Sequence, residues 1–519
     1  MDRAATAAVL PRLLLKRVAL AAAAFCVAAA GCTSTARPVA TPSISVSPTL
    51  TPTPTPTVLD TDKRGDPWRI RPRTPGHIEG YADRDSIAPG DALHLYVSTR
   101  ASTYVVRVFR MGWYGGVNAR LVTTLGPYHG EEQAAATILE PRHTAVARWH
   151  VSATLATTAW LPGDYLLRLD GVDGSRSFVP LTVRGPTASG TVVLVSADTT
   201  WQAYNLWGCC DLYDGDDNGG GFAGRSRAVS FDRPYLLEYG AGEFIDRQLP
   251  VVAEAERLHL TLDYVTDVDL QRIPHLLDGA TAVISMGHDE YWSPAMRNAV
   301  TAARDAGTNV AFFGANAVFR RIRFEPSPLG PDRIIVDYKS AAEDPLLHKD
   351  PAAVTSDWPD QPDPKPESAL IGSSYDCFVR QTSAGVVADA SSFLLAGTHV
   401  TNGTVLPALN GPEVDHVVLS DPTPRPLEIL LHSPFQCAGN HPSAVDATYY
   451  TTSSGAGVFA SGSMNWVCVS RGGCGAPTIT ARFVQRVTDN VLVAFAAGPA
   501  GRAHPAVDNV RSVLSRGGG

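Results

Sequence analysis

The chain runs to 519 residues, with eight cysteines and a formal net charge of −8. A mildly acidic chain without a basic run argues against nucleic acid as a partner. Beyond the first 31 residues no stretch stays apolar for about 18 residues, the length a membrane helix needs, so the body is expected to be soluble.

In chain order, Arg12, Lys16 and Arg17 form a positive start, and Val18 to Gly31 is an alanine-rich apolar run. That run is shorter than the roughly 20 residues of a spanning helix and fits the apolar core of a secretory signal. It ends in Ala29-Ala30-Gly31-Cys32, which resembles the lipobox of bacterial lipoproteins, with Ala29 where the box usually carries a larger aliphatic residue. Residues 1–32 are therefore expected to be a lipoprotein signal peptide and lipobox, with Cys32 lipidated as the first mature residue. The protein would then sit on the extracytoplasmic face of the cell membrane. Removing residues 1–31, with four basic residues and one acidic, leaves a mature charge of −11. Residues 33–64 are rich in Thr, Ser and Pro, cannot bury a core, and read as an extended stalk. Setting Cys26 and Cys32 aside leaves six body cysteines, an even number that suggests disulfides in an exported chain. Cys468 and Cys474 flank a glycine-rich turn and are the simplest pair.

Residues 65–186 predict an all-β sandwich. Leu93–Val97, Tyr104–Arg110, Ala147–Val151 and Tyr165–Leu169 read as short strands, with turns at Pro89-Gly90, Gly115-Gly116 and Pro162-Gly163. From Thr191 the pattern changes. Thr191–Ser196, Thr281–Met286 and Asn309–Phe313 are buried-strand runs. A helix lies between the last two, capped by Ser293, started by Pro294 and ended by Gly307. Strand, helix and strand in this length predict a right-handed βαβ unit. The expectation for residues 190–500 is a layered α/β domain with a largely parallel sheet, closed by a helix near Phe483–Phe495. Residues 320–450 are proline-rich and predict little beyond extra strands. Residues 501–519 are expected to be a disordered tail.

In open α/β sheets ligands bind beyond the carboxyl ends of the strands. Here those ends lead into Tyr204, into His288 and Glu290, and into Asn316, so one crevice is expected to receive a phenol, an imidazole, a carboxylate and an amide. Against this stands the plainer possibility that Glu290 caps the helix, His288 is a turn residue and Tyr204 packs. The run Asp214-Gly-Asp216-Asp-Asn218-Gly219 matches half a calcium loop. Its twelfth position is Arg225 where the loop needs glutamate, so a solvated turn is the better reading.

The motifs Gln202-Ala-Tyr-Asn-x-Trp-Gly208, Gly287-His-x-Glu-Tyr-Trp292 and Gly314-x-Asn316 resemble the large (beta) subunit of N,N-dimethylformamidase and its relatives. Arg110-Met-Gly-Trp-Tyr-Gly-Gly116 and Trp160-Leu-Pro-Gly-Asp-Tyr165 in the sandwich resemble it too, and the likeness extends from about residue 77 to residue 496. It implies a core like that of class I glutamine amidotransferases, without their nucleophilic cysteine. It also implies a mononuclear iron, ferric in state, held by two tyrosines and a glutamate. Carried over, the glutamate is Glu290, one tyrosine is Tyr204 and the other is Tyr165, with Tyr213, Tyr235 and Tyr291 competing for that last place. His288 and Asn316 match residues close to the metal and are the catalytic candidates, and Glu413 matches a further pocket carboxylate. Ala315 departs from the family's usual glycine, and no segment resembles the amidase's small subunit. The implied activity is hydrolysis of an amide or other C–N bond in a small-molecule substrate. The competing class is a cell-surface binding module that keeps the fold without the chemistry.

Overall fold

The computed structural model describes residues 61–71, 76–215, 221–437 and 441–515. The signal peptide, the lipobox with Cys32 and nearly all of the stalk lie outside the described residues. Among those described, no helix is long and apolar enough to cross a membrane.

Alternation builds the first part. In the strand Thr103–Met111, Tyr104, Val106 and Val108 point into the sandwich core, while Phe109 and Met111 join a second cluster. This strand sits in a five-stranded sheet beside Gly163–Gly171 and Ala119–His129, and a three-stranded sheet of Ile78–Ala82, Ala92–Thr99 and Ala153–Ala156 accompanies it. The expected strand at Ala147–Val151 is instead an extended connection that follows Thr144–Val146.

The largest sheet has seven strands. Their order is Leu262–Thr266, Val192–Ser196, Ala282–Ser285, Asn309–Phe312, Gly457–Ala460, His441–Thr451 and Leu427–Cys437. The first five run parallel, His441–Thr451 runs against them, and Leu427–Cys437 pairs antiparallel with His441–Thr451. The local βαβ reading holds: the helix Pro294–Asp305 starts where Ser293 Oγ accepts from Met296 N at 3.2 Å, and Gly307 follows its end at φ +109°. The helix Thr478–Ala496 buries Phe483, Val487, Val491 and Phe495 on one face.

The wider expectation, a layered and largely parallel α/β domain of the glutamine-amidotransferase type, is overturned. Strand takes 33% of the described residues against 21% helix, and they are mostly sandwich-like, with many small mixed and antiparallel sheets. The reason lies in residues 320–450. Their prolines and short β-prone runs return as antiparallel pairs, such as Arg323–Ser327 with Gly330–Val336 and Ser374–Phe378 with Glu413–His416. One βαβ unit is too little pattern to stand for three hundred residues. The expected disordered tail is corrected as well. Val510 and Val513 of the helix Val510–Leu514 are buried in the core, and the Asn509 side chain accepts from Ile429 N at 2.7 Å and donates to Ile429 O at 3.0 Å. Asn509 thus occupies part of the outer edge of Leu427–Cys437. Ala388 N, donating to Leu430 O at 2.9 Å, covers another part.

The sandwich and the sheet region belong to one compact unit, Leu59–Gly519. One apolar cluster crosses the junction, with Phe109, Met111 and Phe178 packed with Leu194, Val252 and Tyr264. At its centre Arg110 Nη1 meets Glu256 Oε1 at 2.6 Å, both side chains almost fully buried. Trp113 N and the Tyr264 hydroxyl also donate to Glu256, each at 2.9 Å, and Pro162 O accepts from Arg110 Nε at 2.9 Å. A Cβ at Gly112 would lie 1.8 Å from Glu256 Oε2, and one at Gly163 would lie 2.6 Å from Arg110 Nε. Both sandwich motifs are therefore the socket of this ion pair. Removing one partner strands a buried charge, so Glu256→Ala is expected to lower unfolding stability by about 3–5 kcal/mol in a denaturant titration. A loss below about 1 kcal/mol, the scale of a surface pair, would mean that the pair does not lock the junction.

The six body cysteines form Cys209–Cys210, Cys377–Cys437 and Cys468–Cys474. Cys377–Cys437 ties the small Ser374–Phe378 sheet to the end of the seven-stranded one. Non-reducing peptide mapping should recover this cross-link, and replacing both cysteines with serine should cost about 2–5 kcal/mol of stability. Peptides that migrate separately without reductant would contradict the pairing.

Candidate functional site

The strand Val192–Ser196 runs into the short helix Asp198–Ala203, which delivers Tyr204 at its C-terminal end. Two hydroxyls of this helix hold the neighbouring loop. Thr199 Oγ1 donates to Tyr291 O at 2.7 Å, and Thr200 Oγ1 accepts from Glu290 N at 3.0 Å. Gly287 turns the loop at φ +78°. A Cβ on Gly314 would lie 2.0 Å from Gly287 O, so the loops after the second and third strands touch backbone to backbone. Asp289 points away from the site, where its carboxylate accepts from Ser285 Oγ at 2.8 Å and Trp292 Nε1 at 2.6 Å. Arg320 N and Phe319 N both donate to Glu290 O, at 2.9 and 3.0 Å.

Glu290 is thereby placed at 1% side-chain exposure. The Tyr204 hydroxyl donates to its Oε2 at 2.7 Å. The Tyr213 hydroxyl stands 3.1 and 3.2 Å from its two oxygens and 2.9 Å from the Tyr204 hydroxyl. Tyr213 arrives from the loop beyond Tyr204, where Asp211 Oδ1 accepts from Tyr213 N at 2.7 Å and Asp214 N at 2.8 Å. That turn, built on Asp211, leads into the Asp/Gly run at Asp214, of which residues 216–219 lie outside the described residues. Around the three oxygens, Arg320 Nε donates to Glu290 Oε1 at 3.2 Å, and the Tyr291 hydroxyl lies 2.6 Å from that of Tyr213 and bonds Lys339 Nζ.

On the other side, His288 Nε2 is 3.1 Å from Glu413 Oε2 and 3.5 Å from Glu290 Oε2, without hydrogen-bond alignment to either. Asn316 sits in the left-handed region at φ +55°, which asparagine tolerates. Its Nδ2 donates to Glu413 Oε2 at 3.2 Å, its N donates to Asp415 Oδ1 at 2.8 Å, and its Oδ1 has no partner.

The electrostatics follow from burial. Burial opposes the Glu290 charge, but His288, Lys339 and Arg320 outweigh it and hold the pKa at about 2. Burial also opposes charging His288, and Glu413 and Glu290 overcome it, raising the pKa to about 10. Lys339 is pulled down to about 8 by burial. Burial first, and then the Glu290 charge, push both Tyr204 and Tyr213 well above the ordinary phenol range. Two phenols and a carboxylate at these separations form a hard oxygen donor set. A multivalent cation among them would draw off the phenol protons that burial otherwise retains. The residues present fit a single hard multivalent cation.

Of the residues expected from sequence, Tyr204, His288, Glu290, Asn316 and Glu413 come together. Tyr165 does not. Its hydroxyl donates to Leu161 O at 2.7 Å, and its ring stacks on Trp160 in the sandwich core. The tyrosine whose hydroxyl stands beside Tyr204 and Glu290 is Tyr213, one of the competing tyrosines, and Arg320 and Lys339 are additions that the strand-end argument did not reach. A different group, Asp376 with Cys377 and Cys437, also clusters as metal ligands do, but its two sulfurs are joined in the disulfide.

No curated protein matches the chain. A family model described as N,N-dimethylformamidase beta subunit-like, C-terminal, matches residues 105–474, which spans both halves of the Arg110–Glu256 lock and every residue of the oxygen cluster. The chain belongs to the N,N-dimethylformamidase beta subunit-like family.

Proposed function

We propose that the protein is an exported, lipid-anchored hydrolase of an amide or other C–N bond. Its centre would be a single iron held by Tyr204, Tyr213 and Glu290. The observation that carries this reading is the meeting of the hydroxyls of two half-buried tyrosines and a buried carboxylate within 3.2 Å of one another. Bound there, ferric iron would supply Lewis acidity toward an amide carbonyl and toward water. The chain's own groups supply the rest. His288 Nε2, 3.1 Å from Glu413 and 3.5 Å from Glu290, is placed to pass a proton to a leaving amine. The Asn316 side chain, anchored by its Nδ2 on Glu413, leaves Oδ1 to orient an N–H of the substrate. Arg320, bonded to Glu290 and to Asp357, holds the carboxylate in place. A buried Asn316 Oδ1 without a hydrogen-bond partner, beside a His288 held between two carboxylates, supports this reading over that of a surface module that has abandoned chemistry.

Purified protein from iron-replete cells should contain one iron per chain and show a visible phenolate-to-iron absorption band. Glu290→Ala should abolish both, and Tyr204→Phe and Tyr213→Phe should each weaken iron binding and bleach the band. Tyr165→Phe should leave both intact. Loss of the band with Tyr165→Phe and its survival with Tyr213→Phe would reverse the assignment, and wild-type protein free of metal would sink the hydrolase reading. With iron in place, His288→Ala should reduce turnover of a cleaved amide by about 10²–10⁴-fold.

Anchoring is tested separately. Mass spectrometry of the mature N-terminus should find a lipid-modified Cys32, and an unmodified terminus, or one starting further along the chain, would remove the anchor from the proposal.

A further inference from the structure

Beside the oxygen cluster lies a second space, of about 130 Å³, walled by Trp201, Tyr204, Leu206, Tyr235, Leu236 and Phe244. Tyr204 belongs to both: it lines this cavity, and its hydroxyl bonds Glu290 at 2.7 Å. The cavity and the donor set thus share one residue. Among the described residues lining it, Glu243 alone is charged, and it lies within 4.0 Å of Arg247. Such walls offer no cation to a phosphate or a carboxylate, and the one carboxylate among them faces Arg247, so the lining favours an apolar guest. The size is informative, since an apolar protein cavity of roughly 150 Å³ takes up benzene. At the rim, Leu236 and Leu237 are 58% and 56% exposed, so apolar surface continues outward to solvent.

The wall is also built rather than incidental. Glu238, Tyr239 and Gly240 follow one another at φ +47°, +60° and +98°, a run of left-handed residues of which only the last is glycine. Two side-chain-bearing residues persist in that conformation where surrounding structure imposes it. Here Ser177 Oγ, on the sandwich strand Arg176–Val183, donates to Tyr239 O at 2.9 Å, and a Cβ on Gly240 would lie 2.4 Å from Phe178 O. The sandwich therefore holds Leu236 and Leu237 over the cavity mouth.

We infer that this cavity is the specificity pocket of the oxygen-cluster site and takes a phenyl-sized apolar group, so that the substrate class is aryl- or similarly bulky-substituted amides rather than small formamides. This rests on the hydrolase reading for its link to catalysis, but the pocket itself is tested by binding. Calorimetric titration of the whole protein with acetanilide, and with N,N-dimethylacetamide as the ring-less comparison, should show acetanilide binding at least tenfold more tightly. Leu236→Asp puts a charge at an exposed rim position where folding is not at stake. It should weaken acetanilide binding at least tenfold while leaving the dimethylacetamide titration and the visible iron band unchanged. Ser177→Ala, which frees the turn, should weaken acetanilide binding in the same direction. Equal affinity for the two amides, or acetanilide binding indifferent to Leu236→Asp, overturns the inference. If acetanilide binds as expected in protein that carries no iron, the pocket stands and the hydrolase reading fails instead.

Discussion

A carboxylate removed from water loses several kcal/mol of solvation that the protein must replace, and Glu290 is such a group. Its replacement solvent comes from places far apart in the chain: hydroxyls of Tyr204 and Tyr213, the guanidinium of Arg320 and the imidazole of His288. None of these can drift without exposing an unpaired charge. The surrounding backbone is correspondingly fixed, with Thr200 on the amide of Glu290, Arg320 N on its carbonyl, and Gly314 lying against Gly287. The requirement of one buried charge thus organises the ends of three neighbouring strands. The same arrangement leaves hard oxygens facing one another, which is the raw material of a cation site.

A second buried charge does comparable work between the sandwich and the sheet region. Arg110 and Glu256 are each satisfied by several donors or acceptors, and two glycines are needed to admit them. The sandwich is for that reason part of the site's support and not an appendage. Its strand Arg176–Val183 also pins the turn at Tyr239, so a change in sandwich packing would be felt at the mouth of the apolar cavity.

What could be read from sequence divides along physical lines. Tyr204, His288, Glu290 and Asn316 were legible because each directly follows a strand-like run, and parallel strands bring their carboxyl ends to one edge. Tyr213 was harder, because it comes from an irregular loop whose path depends on the Asp211 turn and on tertiary contacts. Tyr165 misled for a related reason. A tyrosine inside a motif need not serve the motif's chemistry, and here the hydroxyl satisfies a local carbonyl while the neighbouring Gly163 makes room for Arg110. The parallel core strands and the Ser293-capped helix were recoverable from local pattern. The overall class was not, since small antiparallel pairs such as Ser383–Val386 with Val405–Asn410 are set by contacts between residues distant in sequence.

The Asn509 side chain gives and receives hydrogen bonds at Ile429 as a neighbouring strand would. Its place in the chain gives that detail a temporal meaning. The outermost strand of the seven-stranded sheet is made some eighty residues before the group that finishes covering it. During synthesis its edge is a template on which another nascent copy can pair. Asn509 works as a seal applied after the strand it covers, and a product that stopped before it would bare the Ile429 edge and lose Val510 and Val513 from the core, with nothing to keep it from sticking to its own kind.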